Sequence, residues 1–252
     1  AGALLNATLD GPTLAGALQL PEGEGGTISG RLQRLHWRAA PAGPAVPVLA
    51  SAPAASDLNP ASVPAIQLRV DDLRLGGAAL GEAQFRSRPT ANGMEIVQFQ
   101  TRAPKRRLDV AGEWAGRGAA ARTRLSATLG SEDFGALLTD AGLGGRIAGG
   151  KGEMRFDAAW PGTPMAFQLA SLEGSLKVAV KDGRLVEIEP GGTGRVLGLL
   201  SVAQLPRRLT LDFRDFFSKG FAFNRFEGTV QFGGGSARSD DLAIDGPAAT
   251  IN

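Results

Sequence analysis

The chain has 252 residues, with Lys+Arg 27 against Asp+Glu 25, one histidine, no cysteine and no tyrosine. That length suits one large domain or two small ones with a sizeable core. The net charge of +2 excludes the strongly basic surface of a nucleic-acid binder, and the missing cysteines exclude disulfides, thiolate metal sites and cysteine nucleophiles.

Read in chain order, the dominant signal is apolar alternation with period two, the signature of half-buried strands. Leu14, Gly16, Leu18 and Leu20 share one face. The stretch Arg31 to Arg38 holds the lone His36 and reads as a strand edge with a charged face. Residues 39–64 hold six prolines among alanines and serines, and the composition predicts a poorly ordered insertion. Alternation resumes with Leu108, Val110, Gly112 and Trp114, then Leu125, Ala127 and Leu129. Ser131 caps an expected short helix carrying Phe134, Leu137, Leu138 and Ala141, with Gly142 as its stop. Further strands carry Met154, Phe156, Ala158 and Trp160, then Leu176, Val178 and Val180, after which Asp182-Gly183 predicts a hairpin turn. The apolar segment 194–205 has Val196, Leu199, Leu200 and Ala203 at helical spacing, and residues 215–219 allow one more turn. Leu209, Leu211 and Phe213, then Phe221 and Phe223, then Phe226, Val230 and Phe232 complete the pattern. Glycine (36 residues) supplies frequent turns. Together these elements predict a mainly β fold: a long antiparallel, strongly twisted sheet with two or three short helices.

The chemistry-bearing motifs are few. Gly192 to Gly198 follows a strand and opens a helix, as a dinucleotide fingerprint does, but antiparallel hairpins surround it where further parallel strands are needed. Arg195 beside that helix start suits a phosphate headgroup. The acidic pairs Asp71-Asp72, Glu132-Asp133 and Asp240-Asp241 read as solvated surface: adjacent strand residues point to opposite faces and do not face each other across a cleft, and Glu132 and Asp133 suit a helix first turn, where they complement its dipole. Lys105, Arg106 and Arg107 form a second basic cluster of the same kind. No catalytic constellation and no metal-spaced cluster stands out, so the expectation is a non-enzyme with no cofactor and no metal. No run of 18 apolar residues exists to span a bilayer.

Alternation alone does not choose between a sealed sandwich and an open apolar face. The apolar positions are soft (Leu, Val, Ala, Gly, some Phe), and glycines recur within strands, where they permit tight curling. A twisted sheet folded lengthwise presents an apolar trough, and about 14 strands at about 4.8 Å spacing extend about 70 Å. An exposed acyl chain of about 16 carbons costs on the order of 13 kcal/mol, most of which such a trough removes without any chemistry. The expected lining is Leu108, Val110, Trp114, Leu125, Leu129, Met154, Phe156, Trp160, Leu176, Val178, Val180, Leu209, Leu211, Phe213, Phe221 and Phe223. The helix carrying Val196, Leu199, Leu200 and Ala203 is expected at its end.

Several stretches resemble a known family. They are Glu189-Pro190-Gly191 leading into Gly194-Arg195-Val196-Leu197-Gly198-Leu199-Leu200-Ser201, then Leu205-Pro206-Arg207-Arg208-Leu209-Thr210-Leu211-Asp212-Phe213, Phe217 to Phe223, and Gly246-Pro247-Ala248-Ala249. Weaker matches are Gly112-Glu113-Trp114, Asp133-Phe134-Gly135 and Trp160-Pro161-Gly162-Thr163-Pro164. The chain is similar, outside residues 39–64, to the C-terminal region of YhdP-type proteins of the AsmA-like family. That resemblance implies a fragment, 1–252, of a bridge-like lipid transporter. It would be tethered to the inner membrane by an N-terminal segment not present here and cross the periplasm as a β-groove. Its implied cargo is phospholipid passing between inner and outer membranes, supporting the outer-membrane permeability barrier. An alternative expectation is an assembly factor that binds outer-membrane proteins through its sheet edges.

Overall fold

The computed structural model of the protein describes residues 4–22, 25–37, 59–140, 147–186, 221–247 and 250–251. The period-two segments fold as strands in chain order: β1 (Leu4–Asp10), β2 (Leu14–Pro21), β3 (Thr27–Trp37), β4 (Ala65–Leu75), β5 (Ala78–Pro89), β6 (Gly93–Ala103), β7 (Arg106–Ala115) and β8 (Arg122–Ser131). They continue as β9 (Ile147–Pro161), β10 (Glu173–Leu185), β11 (Phe221–Gly233), β12 (Ser236–Arg238), β13 (Ala243–Asp245) and β14 (Thr250–Ile251). Together they form one 14-stranded sheet in the order β1 to β11, β13, β14, with β12 beside β11. Strands therefore pair with their neighbours in sequence, as expected of a meander. Among the described residues no second sheet is laid across it.

Every described pair but one is antiparallel. β3 and β4 run parallel, with Thr27 beside Ala65 and Trp37 beside Leu75. A parallel pair forces the chain to travel back along the strand, about 36 Å for an 11-residue strand, so a tight turn cannot join them and a crossover must. Residues 38–64 make that crossover. The Pro/Ala-rich stretch that composition marks as an insertion is thus required by the topology. Its described end forms a 310 turn, Pro60–Ser62, with the Asn59 side chain accepting from the Ala61 N–H at 3.2 Å. Residues 38–58 lie outside the described residues.

The hairpin expected at Asp182-Gly183 does not form, and β10 runs through both residues. Asp182 adopts a φ of 54° and is skipped in the pairing with both neighbours, opposite Gly150 on β9 and Asn224 on β11. The three strands kink on one rung, so hydrogen bonding resumes on both sides of it. Asp182 is held there by Lys151 at 2.9 Å. The Phe223 ring lies over Gly183, where an added Cβ would sit 2.4 Å from a ring carbon. Local turn chemistry is overridden by two partner strands.

The expected helix forms as α1 (Phe134–Asp140). Its cap is Asp133 rather than Ser131: the Asp133 carboxylate accepts from the Ala136 N–H at 2.9 Å, while Ser131 Oγ accepts from the Asp133 N–H at 3.1 Å. Phe134 and Leu137 are buried among Val178, Val180, Phe221 and Phe223. At its far end Arg106 donates to Asp140 at 2.6 Å, and the Gly77 N–H of the β4–β5 turn donates to the Asp140 carbonyl at 3.1 Å. The helix thereby ties β9 to the β4–β5 turn across the intervening strands. The expected helices at 194–205 and 215–219 lie outside the described residues.

Candidate functional site: the apolar face of the sheet

Register decides which side chains share a face, because directly paired residues point the same way. Leu108 pairs with Leu129, Leu129 with Met154, and Met154 with Val178. Val110 pairs with Ala127, Ala127 with Phe156, Phe156 with Leu176, and Leu176 with Val230. Trp114 pairs with Thr123, and Thr123 with Trp160. Leu125 pairs with Ala158 on the same side, and the kink at Asp182 brings Val180, Phe221 and Phe223 into one cluster. All the expected lining residues from Leu108 to Val180, together with Phe221 and Phe223, thus lie on one apolar face. Leu209, Leu211, Phe213, Arg195, Val196, Leu199, Leu200 and Ala203 lie outside the described residues.

Burial along this face is graded. Near one end of the strands Trp160 and Trp114 are buried, with the Trp160 ring edge-on to Phe167 at 5.3 Å and its N–H donating to the Thr163 carbonyl at 3.0 Å. Near the other end Val178, Val180, Phe221 and Phe223 are buried beneath α1. Between these ends Val110, Leu125, Ala127, Phe156 and Leu176 are only half-buried. A sealed sandwich would bury that middle band most deeply, since its second layer would cover it. Here the order is inverted.

Two glycines allow the backbones to approach closely on this face. A Cβ on Gly174 (φ 139°) would sit 2.0 Å from the Asp157 carbonyl oxygen, and one on Gly152 (φ 155°) 2.1 Å from that of Ala179. Both positions combine a left-handed φ with backbone contact, which no L side chain tolerates without a shift.

The opposite face is polar and cross-linked by ion pairs. Arg31 on β3 reaches Asp71 on β4 at 3.0 Å. Arg107 lies across Gly130 of β8 to reach Glu153 of β9 at 2.9 Å, and Arg155 meets the same carboxylate at 2.8 Å. Hydrogen bonds from Arg155 and then Arg107 hold Glu153 below the usual carboxylate range. Within the described residues several of the motifs that stood out as possible chemistry are held by such contacts, and the Gly192 to Gly198 motif lies outside the described residues. His36 Nε2 meets Asp72 at 2.8 Å, and hydrogen bonds with His36 first and Arg74 second lower the Asp72 pKa. Asp241 accepts from the Thr229 N–H at 2.7 Å, which lowers its pKa. Asp133 caps α1. Among the described residues no cluster of His, Asp or Glu is fit to hold a metal, and no helix is long and apolar enough to cross a membrane.

The structure adds face residues that periodicity did not single out. The first half of the sheet continues the apolar surface through Leu32, Val70, Leu73 and Ala83, with Phe99 and the already expected Leu18 packed against them. In β4 a bulge between Val70 and Leu73 shifts the register and breaks the alternation. The signal was present as the adjacent acids Asp71 and Asp72, which occupy the extra positions and pair with β3.

The profile of the family described as YhdP protein matches residues 3–252. The chain is 32% identical over 145 residues to the "Intermembrane phospholipid transporter YhdP" of Escherichia coli (strain K12), an alignment that covers 58% of this chain. It spans 12% of that relative's length. No solved structure matches the chain.

Proposed function

Because the chain belongs to the YhdP protein family, we propose that it is part of a conduit for phospholipid between the inner and outer membranes. Acyl chains lie against the apolar face as in a trough, and headgroups stay at its wetter margin. The longer protein is tethered to the inner membrane by a segment outside this chain and supports the outer-membrane permeability barrier. The chain carries out no reaction in this account; it supplies a low-dielectric path.

The observation that carries the reading is the half-buried apolar band through Val110, Leu125, Phe156 and Leu176, flanked by buried clusters and continuous from strand to strand. Each methylene of an acyl chain moved from water onto such a surface gains about 0.8 kcal/mol. Successive strands repeat the same surface, so a chain moves along it with little change in energy from one rung to the next. The similarity to an intermembrane phospholipid transporter supports the choice of cargo.

The test is site-specific photo-crosslinking in cells. A photoreactive side chain at Phe156 or Leu176 is expected to capture phospholipid, identified by mass spectrometry. The same group at Lys177 or Lys181, on the polar face, is expected to capture none. Equal capture from the two faces, or none from either, overturns the reading.

A further inference from the structure

A depression of about 580 Å³ opens where the β5–β6 and β7–β8 turns meet residues 59–61, away from the apolar face. Three arginines line it, Arg117, Arg122 and Arg124, against a single carboxylate, Glu113. Arg122 is fixed by an ion pair to Glu173 of β10, and its Nε is buried with no hydrogen-bond partner. Arg117 and Arg124 make no ion pair among the described residues. The Asn59 oxygen is occupied by the Ala61 N–H, which leaves the Asn59 amide nitrogen to donate, and Asn92 lines the same wall.

An unpartnered buried guanidinium nitrogen costs free energy unless something accepts from it. Elsewhere on the polar face Arg31, Arg88 and Arg107 each sit against a carboxylate. Here three guanidinium groups line one polar hollow against the single Glu113 carboxylate, and the Asn59 and Asn92 amide nitrogens add further donors. Guanidinium forks match the oxygens of phosphate in geometry and charge. We infer that this hollow binds a phosphate-bearing anion, a monoester or diester, with Arg122 as the fixed donor and Arg117 and Arg124 closing on it. A neighbouring depression of about 720 Å³ shares Glu113, Arg122 and Arg124, and its lining combines Val97, Ala111 and Ala159 with the carboxylates Glu95, Asp157 and Glu173. The site stands independently of whether the apolar face carries lipid.

The experiment titrates the whole chain calorimetrically with sn-glycerol 3-phosphate and, separately, with dihexanoyl phosphatidylglycerol below its micelle concentration. Both are expected to bind, more weakly as salt rises. The double variant R117Q/R124Q is expected to bind at least about tenfold more weakly. R238Q, an exposed arginine on β12, is expected to bind unchanged. Arg117 and Arg124 support no ion pair, so the double variant is expected to melt like the parent, checked by circular dichroism. Should it melt early, R117K/R124K keeps the charge and is expected to restore the fold and part of the binding. Equal affinity for the two probes assigns a free phosphate ester, and about tenfold preference for the lipid assigns a headgroup. No heat from either probe with the parent chain, or undiminished binding in R117Q/R124Q, overturns the site. Absence of binding in the parent chain with crosslinking at Phe156 intact rejects the hollow and leaves the conduit standing.

Discussion

Trp160 and Phe156 lie four residues apart on the same face of β9, yet their truncations are expected to differ in stability and in function in opposite directions. Trp160 is 3% exposed, donates one hydrogen bond to Thr163 and packs edge-on against Phe167. Trp160→Ala therefore loses a buried aromatic side chain, worth about 3–5 kcal/mol, with its hydrogen bond contributing about 1 kcal/mol of that loss. Phe156 is half-buried and meets Phe232 at a ring separation of 6.4 Å. Full burial of a Phe is worth about 1.5–3 kcal/mol, so Phe156→Ala is expected to cost about 1–2 kcal/mol. Urea unfolding followed by circular dichroism measures both, and the midpoint is expected to fall two to three times further for Trp160→Ala, roughly in the ratio of those energies. Phospholipid recovered from the purified chain should show the reverse order, falling more for Phe156→Ala because the proposed conduit lays the acyl chain against the Phe156 ring. A Phe156→Ala variant as damaged in stability as Trp160→Ala would mean that the middle band is an ordinary sealed core, and the reasoning fails.

Gly174→Ala puts a Cβ against the Asp157 carbonyl at a left-handed φ, and about 2–4 kcal/mol of destabilisation is expected in thermal melts; Gly233→Ala, with open space around it, is expected to change stability by less than about 0.5 kcal/mol. Arg106→Ala removes the ion pair to Asp140, so amide exchange over 134–140 should rise while that of β9 stays protected. Asp72 and Glu153 have pKa values lowered in the fold, so their contribution is fully present above the unfolded carboxylate value of about 4 and fades as pH falls through their lower folded values. Glu153→Gln is accordingly expected to flatten the acid limb of the stability profile and leave the limb above neutrality unchanged. An acid limb as steep as the parent's would contradict this.

Legibility in the sequence followed the physics of each segment. From β7 to β10 every residue that alternates is flanked by two antiparallel partners, and periodicity alone places Leu108 to Val180 on one face. It fails where pairing breaks the period. The bulge at Asp71 and Asp72 hides the second half of β4, and the Asp182 kink mimics a turn because Asp-Gly has the same preference for a left-handed φ in both settings. The parallel β3–β4 pair leaves no local mark, since parallel and antiparallel strands share a period, and only the long connection betrays it. The arginine hollow was illegible for another reason: Arg117, Arg122 and Arg124 are ordinary strand and turn residues until the turns at Asn59 and Asn92 are brought beside them.

The account rests on acyl chains touching one face of the sheet, and methyl NMR with a phospholipid carrying a nitroxide midway along its acyl chain reads that contact directly. The methyls of Val110, Leu125 and Leu176 are expected to broaden, while those of Ala17 and Ala179, on the polar face and away from the arginine hollow, keep their intensity. Broadening spread evenly over both sets, or confined to the polar set, would contradict it.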